Sequence, residues 1–371
     1  MLNSIAFMPG SFKKHLVLKT SHKNASVPIF IGKDILSGIH SLLDIKSYSK
    51  IAIVTDTNIN AYWGKTLQKI FDKNDTLIVI PSGEEQKNLA TVQNIWATLL
   101  QHKFDRKSLL ICIGGGVVCD IGAFAASTYM RGIQFVQVPT TLLAQTDAAI
   151  GGKTGVNFGE LKNMIGTFAQ PLAIISDTQF LTTLPNREYV SGFAEIIKHA
   201  IVADGKLFKY LSGKDLTKLS EKEVQDILFK SCQIKCNIVS ADTTEKGKRK
   251  ILNFGHTIGH AIEMASYETG KSLLHGEAVA IGMIAEAKLS VLAGMISSKE
   301  FESIEKLIAK TKLPVKVNGK LKSKIIEKTT FDKKNEKQKI KWVLLNGIGK
   351  ASIDIELPSI IINQAIEYIL L

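Results

Sequence analysis

SLLICIGGGVVCD, residues 108–120, is the stretch whose reading decides the fold. Its first half is apolar without polar alternation, as expected of a strand covered on both faces. Gly114, Gly115 and Gly116 follow, and VVCD after them begins a helix. A strand, a glycine turn and a helix N-terminus together present backbone N–H groups and a partial positive charge, which suits a phosphate. The run is not GxGxxG, and a plain tight turn is the alternative that three glycines alone leave open.

Outward from this stretch, the same alternation of strand and helix covers residues 27–177. PIFIG (28–32), KIAIVTD (50–56), TLIVI (76–80), IQFVQVP (133–139) and LAIISD (172–177) are short apolar runs, separated by helix-like segments such as 88–102. This predicts a doubly wound, Rossmann-like parallel α/β sheet whose ligands bind beyond the carboxyl ends of the strands. After Asp177 the period becomes helical over 188–211, 221–239, 257–267, 276–293 and 299–310, so an all-α domain is expected. At 371 residues the chain exceeds one core. Domains are expected over 1–178 and 179–371, with the active site in a cleft between them.

Composition excludes several classes. Hydrophobic residues make up 45% and charged residues 22%, which argues for a folded globular chain. The net charge of +13 is spread over dispersed lysines, and the densest run, 320–341, is broken by Glu327, Asp332 and Glu336, so a solvated surface is expected and no nucleic-acid partner. No apolar run approaches the ~20 residues of a membrane span, which predicts no membrane association and a cytoplasmic protein. Cys112, Cys119, Cys232 and Cys236 show no CxxC spacing and read as packing thiols.

Three further stretches carry polar chemistry. PSGEEQK (81–87) follows a strand and places Glu84 and Lys87 at the sheet's carboxyl edge, although a polar turn and helix cap would look the same. PTTLLAQTDAAIGGKTGVNFGELKN (139–163) concentrates hydroxyls, Asp147, Lys153, Asn157, Lys162 and Asn163 and reads as a ligand loop. LNFGHTIGHAIE (252–263) is followed by LLHGEAVAIGM (273–283), where His256 and His260 share a helix face and His275 opens the next helix. With His199 beside Glu195 upstream, four of eight histidines gather near carboxylates, which points to a metal. Thr257 after His256 breaks HExxH and disfavours a metalloprotease.

GGGVVCD, YMRG (129–132), QVPTTLLAQTDAAIGGKTGVN (137–157), LKN (161–163), GFAEIIKH (192–199), EKGKRKILNFGHTIGHAIE (245–263) and LHGEAVAIGM (274–283) stand in an order that resembles the dehydroquinate synthase family of sugar-phosphate cyclases, over about residues 51–349. The resemblance implies a catalytic zinc held by Glu195, His256 and His275, with cobalt a possible substitute, and moves His260 from metal ligand to substrate contact. It implies NAD on Asp56, Glu84, Lys87, Gly115, Gly116, Asp120, Thr140, Thr141, Lys153, Lys162 and Thr183. Substrate groups fall to Asp147, Lys153, Asn163, Lys198, Lys235, Arg249, Asn253, His260 and Lys333 of the DKK segment, with Arg131 reaching in from a second subunit of a homodimer. Cys119 departs from the family, where glycine is common, and is expected to crowd the cofactor turn slightly.

The activity so implied converts 3-deoxy-D-arabino-heptulosonate 7-phosphate, a small sugar-acid phosphate, to 3-dehydroquinate and phosphate in the shikimate pathway of aromatic amino-acid biosynthesis. Transient oxidation by NAD⁺ comes first, because a C–H beside a ketone is far more acidic than one beside an alcohol. Phosphate then leaves by β-elimination, the hydride returns, and the opened ring closes by an intramolecular aldol step. The alternatives are another sugar-phosphate cyclase acting on a neutral sugar phosphate, a metal-dependent polyol dehydrogenase, and a non-catalytic nucleotide-binding protein.

Overall fold

The computed structural model describes residues 14–19, 26–159, 161–268, 270, 272–336 and 340–371, with the side chains of all of these except 14, 15 and 330–336. The chain divides into two compact units, Met1–Pro185 and Asn186–Leu371.

The first unit is built on β1 (Lys14–Lys19), β2 (Ser26–Gly32), β3 (Ile51–Asp56), β4 (Thr76–Ile80), β5 (Leu109–Gly114), β6 (Gln134–Pro139), β7 (Lys153–Phe158), β8 (Leu161–Phe168) and β9 (Ala173–Asp177). Seven of these form one sheet in the order β1-β2-β9-β6-β5-β3-β4. Only the pairing of β1 with β2 is antiparallel; the remaining neighbours run parallel. Helices α1 (Ile39–Leu42), α2 (Thr57–Ile70), α3 (Leu89–Gln101) and α4 (Gly116–Thr128) connect them.

All six apolar runs are strands of this sheet, and for its inner strands the reason is visible in the burial; at the edge, β4 leaves Leu77 and Val79 exposed. Ala52, Val54, Leu110 and Cys112 pack on one side with Val92, Ile95 and Leu99 of α3 and Val118 and Ile121 of α4. Ile53, Leu109, Ile111 and Val136 pack on the other with Ile39 of α1 and Leu67 of α2. A strand with helices on both faces has no solvent side, so it shows no polar alternation. After β4 the chain crosses back over β3 to place β5 on its far side. The switch point therefore lies between β3 and β5, where Thr55 pairs with Ile113 and Asp56 and Gly114 end side by side.

The loop expected over 139–163 holds more structure than its sequence suggests. It contains a π-helical turn, Ala144–Ala148, and strand β7, which pairs with β8 as a separate antiparallel hairpin. In KTGVNF the lysine, glycine and asparagine dilute the β-propensity of Thr154, Val156 and Phe158, and Val156 in the core anchors the strand against α4. The unit ends later than residue 178 because the turns of Thr178–Thr183 are packed onto it: Thr178 donates to the Gly32 carbonyl, Phe180 is in the core, and Trp63 Nε1 donates to Thr183 Oγ1.

The second unit comprises α5 (Asn186–Ala203), α6 (Gly205–Ser212), α7 (Glu221–Ala241), α8 (His256–Tyr267), α9 (His275–Leu292), α10 (Ser298–Lys310), α11 (Lys322–Glu336) and α12 (Ser359–Tyr368). The helical reading holds, with one addition: β10 (Trp342–Leu345) and β11 (Ala351–Ile355) form a two-stranded antiparallel hairpin. The segment 188–211 is two helices, because Asp204 leaves the helical region and its carboxylate accepts from the N–H groups of Lys206 and Leu207 to start α6. α9 is buried nearly all round, with α5, α8, α10, α12 and β10 against it. Two of its glycines set the spacing. A Cβ on Gly276 would lie 2.0 Å from the Ser191 carbonyl oxygen of α5, and one on Gly282 would lie 2.0 Å from the Gly255 carbonyl oxygen, just before α8. Among the described residues no helix is long and apolar enough to cross a membrane.

Candidate metal and dinucleotide sites

The second unit brings Glu195 of α5, His256 at the start of α8 and His275 at the start of α9 to one point. Glu195 Oε1 stands 3.6 Å from His256 Nε2 and 3.9 Å from His275 Nε2. For metal–ligand bonds of about 2.0–2.2 Å, tetrahedral donors stand roughly 3.3–3.6 Å apart, so each histidine is close to the spacing at which it would share an ion with Glu195. Both rings are oriented from behind. His256 Nδ1 lies 3.3 Å from the Phe254 carbonyl oxygen and His275 Nδ1 lies 3.3 Å from Glu263 Oε2. An Nδ1–H donated to each acceptor leaves the Nε2 lone pairs facing Glu195, the tautomer a metal requires.

Glu195 is fully buried, and neither of its carboxylate oxygens has a hydrogen-bond partner, although the Lys198 ammonium forms an ion pair with Oε2. A carboxylate taken out of water in this way calls for a cation. Burial opposes a charge on His275, yet the hydrogen bond and charge of Glu263, with the charge of Glu195, hold its pKa above the ordinary value. The pocket therefore attracts positive charge. Zinc fits these donors: one carboxylate and two imidazoles are borderline ligands that leave a fourth position open. His260 is nearby, its ring centroid 5.1 Å from that of His256 and 5.8 Å from that of His275. The three imidazoles could themselves share an ion. His260 is exposed, however, whereas Glu195 is fully buried and its Oε1, the oxygen facing both His256 and His275, has no hydrogen-bond partner.

In the first unit the expected dinucleotide residues gather around the switch point. Gly115 is the N-cap of α4, and no side chain caps that helix. A Cβ on Gly114 would strike Val118 at 2.5 Å, whereas one on Gly116 would meet only Ala148 Cβ at 3.5 Å. The fold therefore requires glycine at 114 but not at 116, and the bare surface at 116 suits a diphosphate lying on the helix N-terminus. Lys87 is buried and donates both to Asp120 Oδ2 and to Asn163 Oδ1 at 2.5 Å. Asn157 donates to Glu84 Oε1 at 3.0 Å, and Lys162 Nζ lies 3.9 Å from the same oxygen. Burial pushes the Asp120 carboxyl above its usual range against the pull of Lys87.

The remaining first-unit residues are more dispersed. Asp56 caps α2 through the N–H groups of Asn58 and Ile59. Thr140 donates its N–H to the Gly114 carbonyl, its buried Oγ1 has no hydrogen-bond partner, and Thr141 Oγ1 accepts from Ala144 N. Thr183 is held by Trp63, Asp147 sits in the π-helical turn, and Lys153 is exposed at the start of β7. The Cys119 thiol is buried and lies 3.6 Å from the Gly114 carbonyl oxygen, so it packs beneath the glycine turn. All four cysteines are buried free thiols.

Comparison with known proteins decides the family. Residues 77–191 match the profile of the 3-dehydroquinate synthase N-terminal domain and residues 192–335 that of its C-terminal domain. The 3-dehydroquinate synthase of Thermoanaerobacter pseudethanolicus is 43% identical over 339 residues, covering 89% of this chain and 94% of that one. The chain belongs to the 3-dehydroquinate synthase family. Among solved structures, 2-epi-5-epi-valiolone synthase from Streptomyces hygroscopicus, with NAD⁺ and Zn²⁺ bound, has a TM-score of 0.84 at 28% identity over 93% of this chain and 97% of that one. A 2-deoxy-scyllo-inosose synthase has the same fold, with a TM-score of 0.86 at 24% identity over 96% of this chain and all of that one.

Of the substrate-side residues expected of this dehydroquinate synthase family member, Asp147, Lys153, Asn163 and Arg131 belong to the first unit and the others to the second. Lys198 and Lys235 are buried cations on α5 and α7. Arg249 is buried in the turn before α8, where its Nη1 donates to the Thr243 carbonyl at 2.7 Å. Asn253 donates to Glu245 Oε1 at 2.7 Å, and Glu245 Oε2 lies 4.0 Å from Arg249 Nε. Glu245 thus touches two expected substrate residues and was missed in the sequence, where it reads as one acid in a basic turn; its left-handed φ of 61° is the structural sign of a special position. The Lys333 call falls outside the residues whose side chains are described. Arg131 is exposed, with a left-handed φ of 69° beside Met130 at 49°.

Proposed function

We propose that this chain is a working 3-dehydroquinate synthase, which takes 3-deoxy-D-arabino-heptulosonate 7-phosphate to 3-dehydroquinate and phosphate with NAD and zinc as cofactors. The observation that carries this reading is the convergence of Glu195, His256 and His275, oriented through Glu263 and the Phe254 carbonyl, in a chain of this family. When bound, NAD reversibly accepts a hydride and zinc acts as a Lewis acid toward neighbouring hydroxyls.

The chain's own residues bind and orient. Arg249, Lys198 and Lys235 are buried cations suited to a substrate carboxylate and phosphate, with arginine able to make the bidentate contact. Asn253 and His260 offer hydrogen bonds to substrate hydroxyls, and Asp147, Lys153, Asn163 and Lys333 complete the set. With phosphate held in place, its own oxygen reaches the proton lost in β-elimination, and the protein need only fix its direction. In the first unit, Gly115 and Gly116 take the diphosphate, with Asp56, Glu84, Lys87, Asp120, Thr140, Thr141, Lys162 and Thr183 around the rest of NAD. Residues 1–178, with Thr183 from the turns that follow, are assigned mainly to NAD, and 179–371 to the metal and most of the substrate contacts.

A homodimer in the cytoplasm is part of this reading, with Arg131 of the partner subunit reaching the substrate. Its support is the exposed Met130 beside Arg131 and the exposed Phe158, Leu161, Met164 and Phe168 of the β7–β8 hairpin, an apolar surface suited to a second copy. The test of function is incubation of the purified protein with the heptulosonate phosphate, NAD⁺ and zinc. Phosphate and carbocycle should appear in equal amounts with no rise at the NADH absorbance band. Stoichiometric NADH would identify a polyol dehydrogenase instead, and equal rates with a substrate lacking the carboxylate would identify a cyclase of neutral sugar phosphates.

A further inference from the structure

Glu286 lies on α9, beyond His275, and is fully buried. Its carboxylate accepts the backbone N–H of Gly255 at 2.6 Å and that of Ile258 at 3.2 Å, with Thr257 N–H also bonded to it. These are the residues on either side of His256. α8 begins at His256, and its N-cap is Gly255, a left-handed residue at φ 81° with no side chain to cap the helix. The neighbouring helix supplies the cap that this sequence position lacks. Gly282, earlier on α9, lets the Gly255 carbonyl approach so closely that a Cβ would stand 2.0 Å from it. The turn is thus seated on α9 at one point and bonded to it at another.

From this geometry we infer that Glu286 is a positioning residue of the metal centre, fixing the backbone from Gly255 to Ile258 so that His256 Nε2 meets the ligands on α5 and α9. α9 then contributes one expected ligand, His275, and sets the place of a second. A helix N-terminus favours a carboxylate, which offsets part of the cost of burying one. Burial still pushes the group up to about 8, so a neutral apolar side chain would serve simple packing better. The inference rests on the reading of Glu195, His256 and His275 as a metal site, and its test separates the two.

Full-length wild type, Glu286→Gln, Glu286→Asp and His275→Ala are titrated with Co²⁺ against a competing chelator, and the visible band of the bound cobalt is recorded. Gln offers one acceptor and turns an NH₂ toward a backbone N–H, so Glu286→Gln should bind cobalt about 10–100-fold more weakly, with a shifted band and an unchanged far-UV spectrum. Glu286→Asp keeps both oxygens on a shorter stem and should recover part of the affinity, a rescue that general loosening of the fold would not give. Wild-type affinity and band in Glu286→Gln, with cobalt lost from His275→Ala, overturns the positioning role while leaving the metal site intact. Wild-type affinity in His275→Ala overturns the metal reading and the inference with it. Should Glu286→Gln fail to fold, the aspartate variant decides alone: weaker binding with a shifted band supports the role, and wild-type behaviour refutes it.

Discussion

Two imidazoles become a metal site only when their outer nitrogens are occupied, and Glu263 does this for His275. Glu263→Gln keeps the volume of the side chain but removes the charge behind the ring, and the expected result is a loss of zinc affinity of about 10-fold or more, read by competition with a chromophoric chelator. Unchanged affinity would mean that His275 is oriented by something else. Gly116 allows a complementary experiment in the other unit, since a Cβ there meets only an ordinary contact. Gly116→Ala should leave the unfolding free energy within about 0.5 kcal/mol of wild type, while weakening NAD binding measured by calorimetry. Equal NAD affinity in that variant would remove the glycine turn from the dinucleotide site. At this scale the sequence was only partly legible. The spacing of His256 and His260 exposed the cluster, but spacing could not offer Glu195, because a carboxylate from a distant helix has no periodic relation to either histidine. Glu195 entered through family resemblance; Glu245 opens one of the stretches that carry that resemblance but nothing there marks its role, and Glu286, whose partners are backbone groups, carried no sequence signal.

At the scale of elements, the proposed metal ligands are positioned by helix spacing, and that spacing is set by glycine. The 2.0 Å approach at Gly282 is to backbone, which cannot rotate away. Gly282→Ala must push α8 from α9, at a cost of about 1–3 kcal/mol or more in a denaturant titration, and metal affinity should fall with it. Full stability in this variant would show that the two helices have room to separate. A second prediction concerns α7, which opens with a reciprocal capping box between Ser220 and Glu223. The Lys214 hydrogen bond and those from Ser220 lower the Glu223 carboxyl from 4.5 to about 2. Because the folded value lies below the unfolded one, this contribution is present above about pH 4.5 and is lost as the pH falls toward 2. Amide protection factors in the first turn of α7 should fall over that window and Ser220→Ala should cost about 1 kcal/mol at neutral pH; protection factors that are flat across the window would rule the box out. Elements with one dominant pattern were readable: the six apolar strands and the long helices. The β7–β8 hairpin was not, since its place depends on Val156 meeting α4, and neither was the break before α6, where a single Asp204 capping bond outweighs continued helical periodicity.

The whole molecule keeps its two kinds of chemistry on two stretches of chain. Every residue proposed for NAD lies within Met1–Pro185, and every proposed metal ligand lies within Asn186–Leu371. The separation has a measurable consequence, because a ligand stabilises only the structure that holds its donors. Removing the metal with a chelator should reduce turnover by about 100-fold or more, since Lewis-acid assistance contributes several kcal/mol. Phosphate release and carbocycle formation should fall together, as later steps cannot proceed once the first oxidation fails. NAD binding by the stripped protein, followed by calorimetry or by quenching of tryptophan fluorescence, should persist, because Lys87, Asp120 and Asn163 hold one another without any metal donor among them. Added zinc should then restore turnover without a new folding step. Loss of NAD affinity on chelation would show instead that the ion organises the cofactor as well as the substrate, and undiminished turnover of the stripped protein would remove the ion from the reaction.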